Sequence, residues 1–299
     1  YTANAIHPFA FLGEVATPFG IAVVHSCFNV AATLVLLPFS NGLVKLACLT
    51  LPTHEDVKEM SETDKTLSLL DPRFLDTPAY AVEQSRQVAS VMADKSRKAM
   101  DLAMELLQGY DEAKAEQVAQ METDVDRFED ELGTYLVKLS SRQLSGKDSE
   151  TLNTILHCIG DFERISDHAR NVKEAAQEMY EKKLDFSDKA QEELKVFERA
   201  VHDILDITMN SFIKGDLNLA RQVEPMEEVI DGLSLDVKQR HVRRLRKGKC
   251  TIELGFILSD VITNFERVSD HCSNIAVCLV QVNEDEFDTH AYLDELRQE

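Results

Sequence analysis

An eleven-residue segment occurs twice in this chain of 299 residues, and its two copies lie 103 residues apart. DFERISDHARN begins at Asp161, and NFERVSDHCSN begins at Asn264. A second duplication precedes each copy, because apolar residues at steps of three and four in 118–132 match those of 223–237 at an offset of 105. The sequence therefore predicts an all-α fold in which two repeats of three helices each pack as a pseudo-symmetric bundle.

Gly and Pro are rare within the apolar periodic stretches, which is typical of long helices joined by short turns. We predict helices at residues 77–108, 112–139, 149–182, 188–214, 217–246 and 251–283. These helices define a domain at 76–284, which follows a polar, Pro-containing linker at 52–75 and precedes an acidic tail at 285–299.

Residues 15–44 carry no formal charge. A helix over this stretch is long enough to cross a hydrocarbon core of about 30 Å, so we predict a transmembrane helix. We assign 1–51 to the end of a membrane transport domain and expect the chain to be the C-terminal part of a longer protein. His25 and Asn29 are four residues apart and therefore share one helical face. They are interpreted either as forming an interhelical hydrogen bond or as lining part of a substrate or ion path.

The chain is strongly acidic, with 53 Asp and Glu residues against 32 Lys and Arg residues. Nucleic acid is therefore not expected as a partner, since its recognition needs clustered cations. The basic run RHVRRLRKGK at 240–249 is interpreted either as a helix C-terminus with favourable cations or as a contact with anionic lipid or the transport domain. The six cysteines form no C-x-x-C pair, and we expect reduced thiols in a cytosolic setting.

Each repeat carries the spacing Glu-x-x-x-Asp on its second and its third helix, which places both carboxylates on one face. These rows border apolar stripes, so half-buried carboxylates need a proton, an arginine or a bound cation. One interpretation is ion pairing, with Arg164 and Arg267 as counter-ions. The other is a pair of oxygen-rich sites for Mg²⁺, Mn²⁺ or Fe. The eight carboxylates are Glu122, Asp126, Glu163, Asp167, Glu227, Asp231, Glu266 and Asp270.

Asn171 and Asn274 extend two of these rows, and His168 and His271 lie one residue beyond an Asp. The histidines are interpreted either as interface residues or as partners of the ligands. A carboxylate-bridged di-metal oxidase would use Glu-x-x-His, whereas Glu163 and His168 are five residues apart, which weakens that alternative. No nucleophile elbow, phosphate-binding loop or dinucleotide fingerprint occurs in the sequence, so we expect no enzymatic activity.

The two repeats, with E-x-x-x-D on the second helix and E-R-[IV]-x-D-H-x-x-N on the third, resemble the PhoU family of phosphate-response regulators over residues 76–284. In addition, AVVHSCFNVAATLVLLPF at 22–39 resembles the last membrane segment of the bacterial Na⁺/phosphate cotransporter family, whose members often carry a C-terminal PhoU-like domain. The resemblance implies a regulatory domain on the cytoplasmic side, at the end of a sodium-dependent phosphate symporter of the plasma (inner) membrane.

The resemblance also implies clusters of iron, zinc or other metal ions held by the eight carboxylates. Phosphate, Na⁺ and the membrane would be partners through the full-length transporter, and self-association is a further expectation. A structural helical interaction module without metal stays open as the alternative.

Overall fold

The computed structural model describes residues 18–36 and 60–283. The chain separates into two compact units, Tyr1–Glu59 and Met60–Glu299. The described part of the first unit is one helix, α1, at Pro18–Leu36. Asn29 donates from Nδ2 to His25 Nε2 over 3.0 Å, so these two polar residues share a face of α1.

The predicted transmembrane helix is not supported. Among the residues that the structure describes, no helix is both long and apolar enough to cross a membrane. The rest of the predicted membrane segment at 1–51, the first part of the predicted linker and the predicted acidic tail lie outside the described residues.

The second unit is all-α throughout residues 60–283, as predicted. Two short elements come first, and the long helices follow, each pair joined by a short connection. In chain order the elements are α2 (Glu62–Leu67), a 3₁₀ helix (Pro72–Asp76), α3 (Pro78–Gln108), α4 (Glu112–Ser140), α5 (Gly146–Lys182), α6 (Asp188–Lys214), α7 (Leu217–Ala220), α8 (Val223–Arg246) and α9 (Ile252–Asn283).

The helix predicted at 217–246 is divided into α7 and α8, whereas the bounds of the other predicted helices agree within three residues. Pro225 lies in the first turn of α8, where its missing N–H is tolerated. In one continuous helix, its ring would clash with the carbonyl of Arg221, four residues earlier. The chain therefore breaks at Arg221 and Gln222 and starts a new helix.

Residues 60–75 fall in the predicted linker, yet they pack on the bundle. Leu67 and Leu75 are buried, and the hydroxyl of Tyr135 on α4 donates to the carbonyl of Asp71 over 3.2 Å. The bundle thus begins before the predicted boundary at residue 76. The apolar residues of this segment are too few to form a periodic pattern, which is why the sequence alone gives no sign of their burial.

The long helices form the two predicted repeats, α3, α4 and α5 in the first and α6, α8 and α9 in the second. The third helices, α5 and α9, pack against each other and join the repeats. The duplicated apolar stripes are buried, with Phe128 of α4 and Ile230 of α8 fully enclosed. The interior of the bundle therefore follows the duplication seen in the sequence.

Helix α6 connects both repeats through aromatic contacts. Its Phe212 meets Phe162 of α5 edge to face, with the ring centroids 4.9 Å apart. Its Phe197 meets Phe265 of α9 in the same way at 5.3 Å. Pairs of this geometry add stabilisation beyond the area that they bury, so α6 fixes the position of each third helix.

Candidate functional site

The first acidic cluster consists of Glu122 and Asp126 on α4 with Glu163 and Asp167 on α5. The two rows lie close to each other, since carboxylates of both helices affect the pKa of Glu163. Burial raises the pKa of Glu163, and the charges of Asp167 and Asp126 raise it further. The fold therefore concentrates negative charge at the edge of the first repeat's apolar core.

Two arginines neutralise part of this charge. Arg170 of α5 forms a salt bridge with Glu122, whose side chain is only 14% exposed. Arg164 lies 3.4 Å from Glu163 and 3.5 Å from Asp167, but its side chain is 61% exposed and solvent screens the interaction. Arg170 is therefore the stronger counter-ion of the first cluster.

The second acidic cluster consists of Glu227 and Asp231 on α8 with Glu266 and Asp270 on α9. Burial raises the pKa of Glu227 to about 7, and the charges of Asp231, Glu224 and Asp270 act in the same direction. The pKa of Asp231 is also raised, first by burial and then by Glu266 and Asp270 across the helix pair. The same juxtaposition of acidic rows thus recurs in the second repeat.

The two clusters differ at the position of Arg170. At the offset of 103 this arginine corresponds to Ser273, whose hydroxyl donates to Glu224 over 2.5 Å. Glu122 is paired with Arg170, whereas its counterpart Glu227 forms no ion pair with any residue of 60–283. The missing arginine is a physical reason for the high pKa of Glu227.

A lysine takes a different place in the second cluster. Lys238 Nζ lies 2.6 Å from Glu266, and at the offset of 105 the first repeat has Gly133 at this position. Arg267 lies 3.1 Å from Asp270 with a side chain that is 63% exposed, so its contribution is small. Each cluster therefore has one well-placed cation, bound to a different carboxylate in each repeat.

The chemistry of the eight carboxylates fits a hard cation, because such ions prefer oxygen ligands. Their positions, however, do not form a complete set of metal ligands. Within 18–36 and 60–283, no group of three or more His, Cys, Asp or Glu side chains is positioned so that it could hold a metal ion. Arg170 and Lys238 each engage one carboxylate, so the rows lie side by side without meeting at one point.

The predicted histidines lie at the contact between α5 and α9. His168 Nδ1 is 2.8 Å from Asn264 Oδ1, and His271 Nδ1 is 2.8 Å from Asp161 Oδ1. Their ring centroids are 5.6 Å apart. We call these four residues the histidine clasp. Burial is the largest cause of the lowered pKa of His168, which favours its neutral form.

Asn171 and Asn274 join the histidine clasp rather than the acidic clusters. They donate to Asn264 and Asp161 over 3.2 Å and 3.3 Å. An eight-residue step turns a helix by about 80° beyond two full turns, which moves Asn171 around α5 from Glu163. The predicted row therefore does not stay on one face over eight residues, and the asparagines reach the contact between α5 and α9 instead.

Asp161 and Asn264 are not among the residues predicted from the sequence, although they open the two copies of the duplicated segment. Each lies seven residues, about two turns, before the histidine of its own repeat, and so on the same helical face. That spacing is a signal for a shared interface. Arg170 and Lys238 carry no such signal, because their contacts depend on how neighbouring helices pack.

The model of the PhoU domain family matches residues 89–176 and 195–279. These segments contain both acidic clusters and the histidine clasp, and together they span more than half of the chain. The chain belongs to the PhoU domain family. The predicted family is thereby confirmed for the helical domain, whereas the comparisons give no support for the Na⁺/phosphate cotransporter part of the resemblance.

Relatives of this PhoU domain are described in terms of phosphate transport. The phosphate-specific transport system accessory protein PhoU homolog 1 of Thermotoga maritima is 24% identical over 201 residues, or 65% of this chain and 86% of that protein. The corresponding PhoU homolog of Aquifex aeolicus is 23% identical over 215 residues, or 72% of this chain and 96% of that protein. Both are named as accessory proteins rather than enzymes, in agreement with the expectation of no enzymatic activity.

Two crystal structures share the fold. PhoU from Pseudomonas aeruginosa has a TM-score of 0.63 at 22% identity and covers 67% of this chain and 95% of its own. The phosphate transport system regulatory protein PhoU from Streptococcus pneumoniae has a TM-score of 0.63 at 17% identity, with 71% and 99% covered. The predicted PhoU-like bundle is thus confirmed as the fold.

Proposed function

We propose that this chain is a regulatory, metal-binding PhoU domain of phosphate transport and phosphate homeostasis. The names of the Thermotoga and Aquifex relatives, which are accessory proteins of phosphate-specific transport systems, support the link to phosphate transport. The observation that carries the metal-binding part is the recurrence of an acidic cluster at equivalent places, where carboxylates of a neighbouring helix raise the pKa of Glu163 in the first repeat and of Asp231 in the second. The electrostatic repulsion between these carboxylates is present in both repeats, and a bound cation would relieve it.

The second cluster is the stronger of the two proposed sites. Glu227 and Asp231 of α8 with Glu266 and Asp270 of α9 would hold the ion, and a cation such as Fe, Mn, Mg or Zn would supply the positive charge that they lack. Lys238 then turns away from Glu266. In the first cluster Glu122, Asp126, Glu163 and Asp167 take the same roles, but Arg170 already neutralises Glu122 and competes with the ion.

Cation binding would regulate the protein if the cation-free and the cation-bound states differ in how α8 packs against α9. In the cation-free protein Glu227 is about half protonated at about pH 7, and the helices are joined by Lys238 and Glu266. With a cation, all four carboxylates of the second cluster are ionised and drawn together. A partner that binds one arrangement better than the other then responds to the ion, as any coupled equilibrium requires.

Metal content is the direct test of the proposed sites. The full chain and the double variant Asp167→Ala, Asp270→Ala are purified without chelator and measured by mass spectrometry of the elements. We expect bound metal in the unaltered chain and a marked loss in the variant. The exposed pair Glu116→Ala, Asp203→Ala is the matched control, which keeps the metal. Equal, near-zero content in the unaltered chain and the variant removes the metal claim.

Phosphate uptake tests the regulatory role. Cells that lack the chain are compared with cells that carry it and with cells that carry Asp167→Ala, Asp270→Ala, under high and low external phosphate. We expect uptake to respond to external phosphate only where the unaltered chain is present. Identical uptake curves in all three strains would end the proposal.

We further propose that residues 1–51 attach the domain to the end of a sodium-dependent phosphate symporter, with the PhoU domain on the cytoplasmic side of the plasma (inner) membrane. The uncharged stretch at 15–44 and the resemblance at 22–39 support this attachment. An antibody against the PhoU domain, applied to fractionated source cells, tests it. A membrane-bound polypeptide well above 33.7 kDa is expected, and a species confined to the soluble fraction refutes it.

A structural interaction module without metal is the second candidate. The observation that favours it is the engagement of Glu122 by Arg170 and of Glu266 by Lys238, which neutralises each cluster from within. Treatment with a chelator separates the candidates. A structural module keeps its midpoint of thermal unfolding, whereas a metal-binding domain loses several degrees.

A further inference from the structure

The connection between α8 and α9 exposes apolar side chains at one end of the bundle. We call residues 242–256 the hairpin tip. Phe256 and Ile252 of α9 are 69% and 68% exposed, and Val242 and Leu245 of α8 also reach solvent. A shallow cleft of about 370 Å³ lies between the two helices at this point. Large apolar side chains that cluster at the surface mark an interaction site more often than scattered ones do.

The hairpin tip is held together by a close helix contact. A Cβ atom on Gly255 would lie 2.6 Å from Nε2 of His241, so only glycine lets the ring of His241 pack against α9. Gly248 has φ of +63°, a left-handed conformation that glycine adopts without strain, and it ends the turn after α8. The exposed apolar groups are thus presented by a defined turn.

The hairpin tip also carries several basic side chains. Arg244 is not available to a partner, since it lies 2.6 Å from Glu193 with both side chains largely buried. In contrast, the basic residues of the tip that are exposed form no ion pair with any residue of 60–283. They are Arg243, Arg246, Lys247 and Lys249. A chain with a net charge of -21 therefore carries, within the hairpin tip, four exposed cations that have no ion-pair partner among residues 60–283.

The charge of the hairpin tip selects among the surfaces that could cover it. A second copy of the same tip would bring eight like charges together, which disfavours a symmetric dimer at this place. An anionic surface is complementary to it. Exposed apolar side chains together with exposed Lys and Arg are typical of helices that bind at a lipid interface, where the apolar groups enter and the cations meet the headgroups.

We propose that the hairpin tip docks on an anionic membrane surface, with Phe256 and Ile252 inserted among the lipids and the four exposed cations against the headgroups. The inference does not require the proposed attachment to a symporter, because the tip belongs to the PhoU domain and not to residues 1–51. It gives a function to the basic run at 240–249, which takes no part in the proposed metal sites.

A tryptophan reporter tests the docking in the full chain. The sequence contains no tryptophan, so Phe256→Trp supplies a single fluorophore at an exposed position. Vesicles of phosphatidylcholine alone are compared with vesicles of equal parts phosphatidylcholine and phosphatidylglycerol. We expect the emission to move to shorter wavelength only with the anionic vesicles. Val137→Trp on α4, which is 64% exposed, is the matched control and keeps its emission.

Charge removal tests the role of the cations. The pair Arg246→Gln, Lys247→Gln is made in the reporter chain, with the exposed pair Lys138→Gln, Lys147→Gln as control. We expect the tip pair to weaken partition into anionic vesicles by about tenfold or more, since each cation near such a surface contributes to binding. The control pair leaves partition unchanged, and helix content and unfolding midpoint verify that all variants are folded.

Three outcomes overturn the proposal. The first is an emission of Phe256→Trp that anionic vesicles do not change. The second is an equal change at Val137→Trp, which would mean that the chain adsorbs without using the tip. The third is a change that poly-glutamate or RNA produces and vesicles do not, which would assign the tip to another kind of anionic partner.

Discussion

Replacing Glu227 by glutamine is expected to stabilise the cation-free protein at neutral and alkaline pH. The pKa of Glu227 is about 7 in the folded chain and has an ordinary value of 4.5. A carboxyl with a raised pKa holds more protons in the folded state, so stability falls as the pH rises from about 4.5 to about 7 and stays lowered above that range. The amide introduced by Glu227→Gln carries no charge and avoids this loss.

The size of the effect follows from the pKa difference. A shift of this extent corresponds to at most about 3.4 kcal/mol, at about 1.4 kcal/mol for each pH unit. Because Glu227 is only half-buried, solvent screening lowers the expected gain of Glu227→Gln to about 1–2 kcal/mol. The gain is absent near about pH 4, where both the folded and the unfolded chain hold the proton.

Urea unfolding with excess chelator, followed by helix content at a series of pH values, measures this gain. The exposed Glu116→Gln is the control and is expected to change stability by less than about 0.5 kcal/mol. The reasoning is refuted if Glu227→Gln gives the same free energy as the unaltered chain above neutral pH, or if its gain grows as the pH falls. Without chelator and with saturating metal, the sign reverses, since the substitution then removes a ligand.

Three further changes test other parts of the structure. Ser273→Arg places in the second cluster the arginine that the first cluster has at Arg170, and titration followed by carboxyl NMR signals should find a lower pKa for Glu227. Glu198 is 6% exposed, has one oxygen without a partner and a pKa that burial raises, so Glu198→Gln should stabilise the chain by about 1 kcal/mol in urea unfolding above neutral pH, and not in acid. Gly255→Ala should destabilise the chain by about 1–3 kcal/mol through contact with His241, and the added change His241→Ala should recover most of that loss in the same assay. An unchanged pKa for Glu227, a Glu198→Gln gain that is independent of pH, or a Gly255→Ala chain that unfolds at the same urea concentration would each contradict the reason given.

Much of the fold can be predicted from the sequence because the helical pattern of apolar residues extends over long stretches and occurs in two copies. Apolar steps of three and four residues locate the buried face of α4 and, 105 residues later, that of α8. The single helix predicted at 217–246 was wrong, although Pro225 carries a signal for the break, since a proline disfavours a continuous helix through Arg221. The packing of α2 against the bundle is not visible, because six residues are too few for a period.

In the candidate site, too, the features within one helix can be predicted from the sequence, whereas the contacts between helices cannot. Which carboxylates share a helical face follows from the four-residue step, so Glu163 and Asp167 can be placed together without a structure. Contacts between helices cannot be placed in that way. The bond between His168 and Asn264 depends on how α5 packs on α9. The cations that engage Glu122 and Glu266 depend on how α5 packs on α4 and on how α8 packs on α9.

The most direct test of the account is a Mn²⁺ titration of the full chain, followed by the signal of the free ion. It compares the unaltered chain with Glu122→Gln, Asp167→Asn in the first cluster and with Glu227→Gln, Asp270→Asn in the second. The account predicts two classes of site, of which the second-cluster variant loses the tighter and the first-cluster variant the weaker. Absence of binding in the unaltered chain, or the same binding curve for all three proteins, would contradict it.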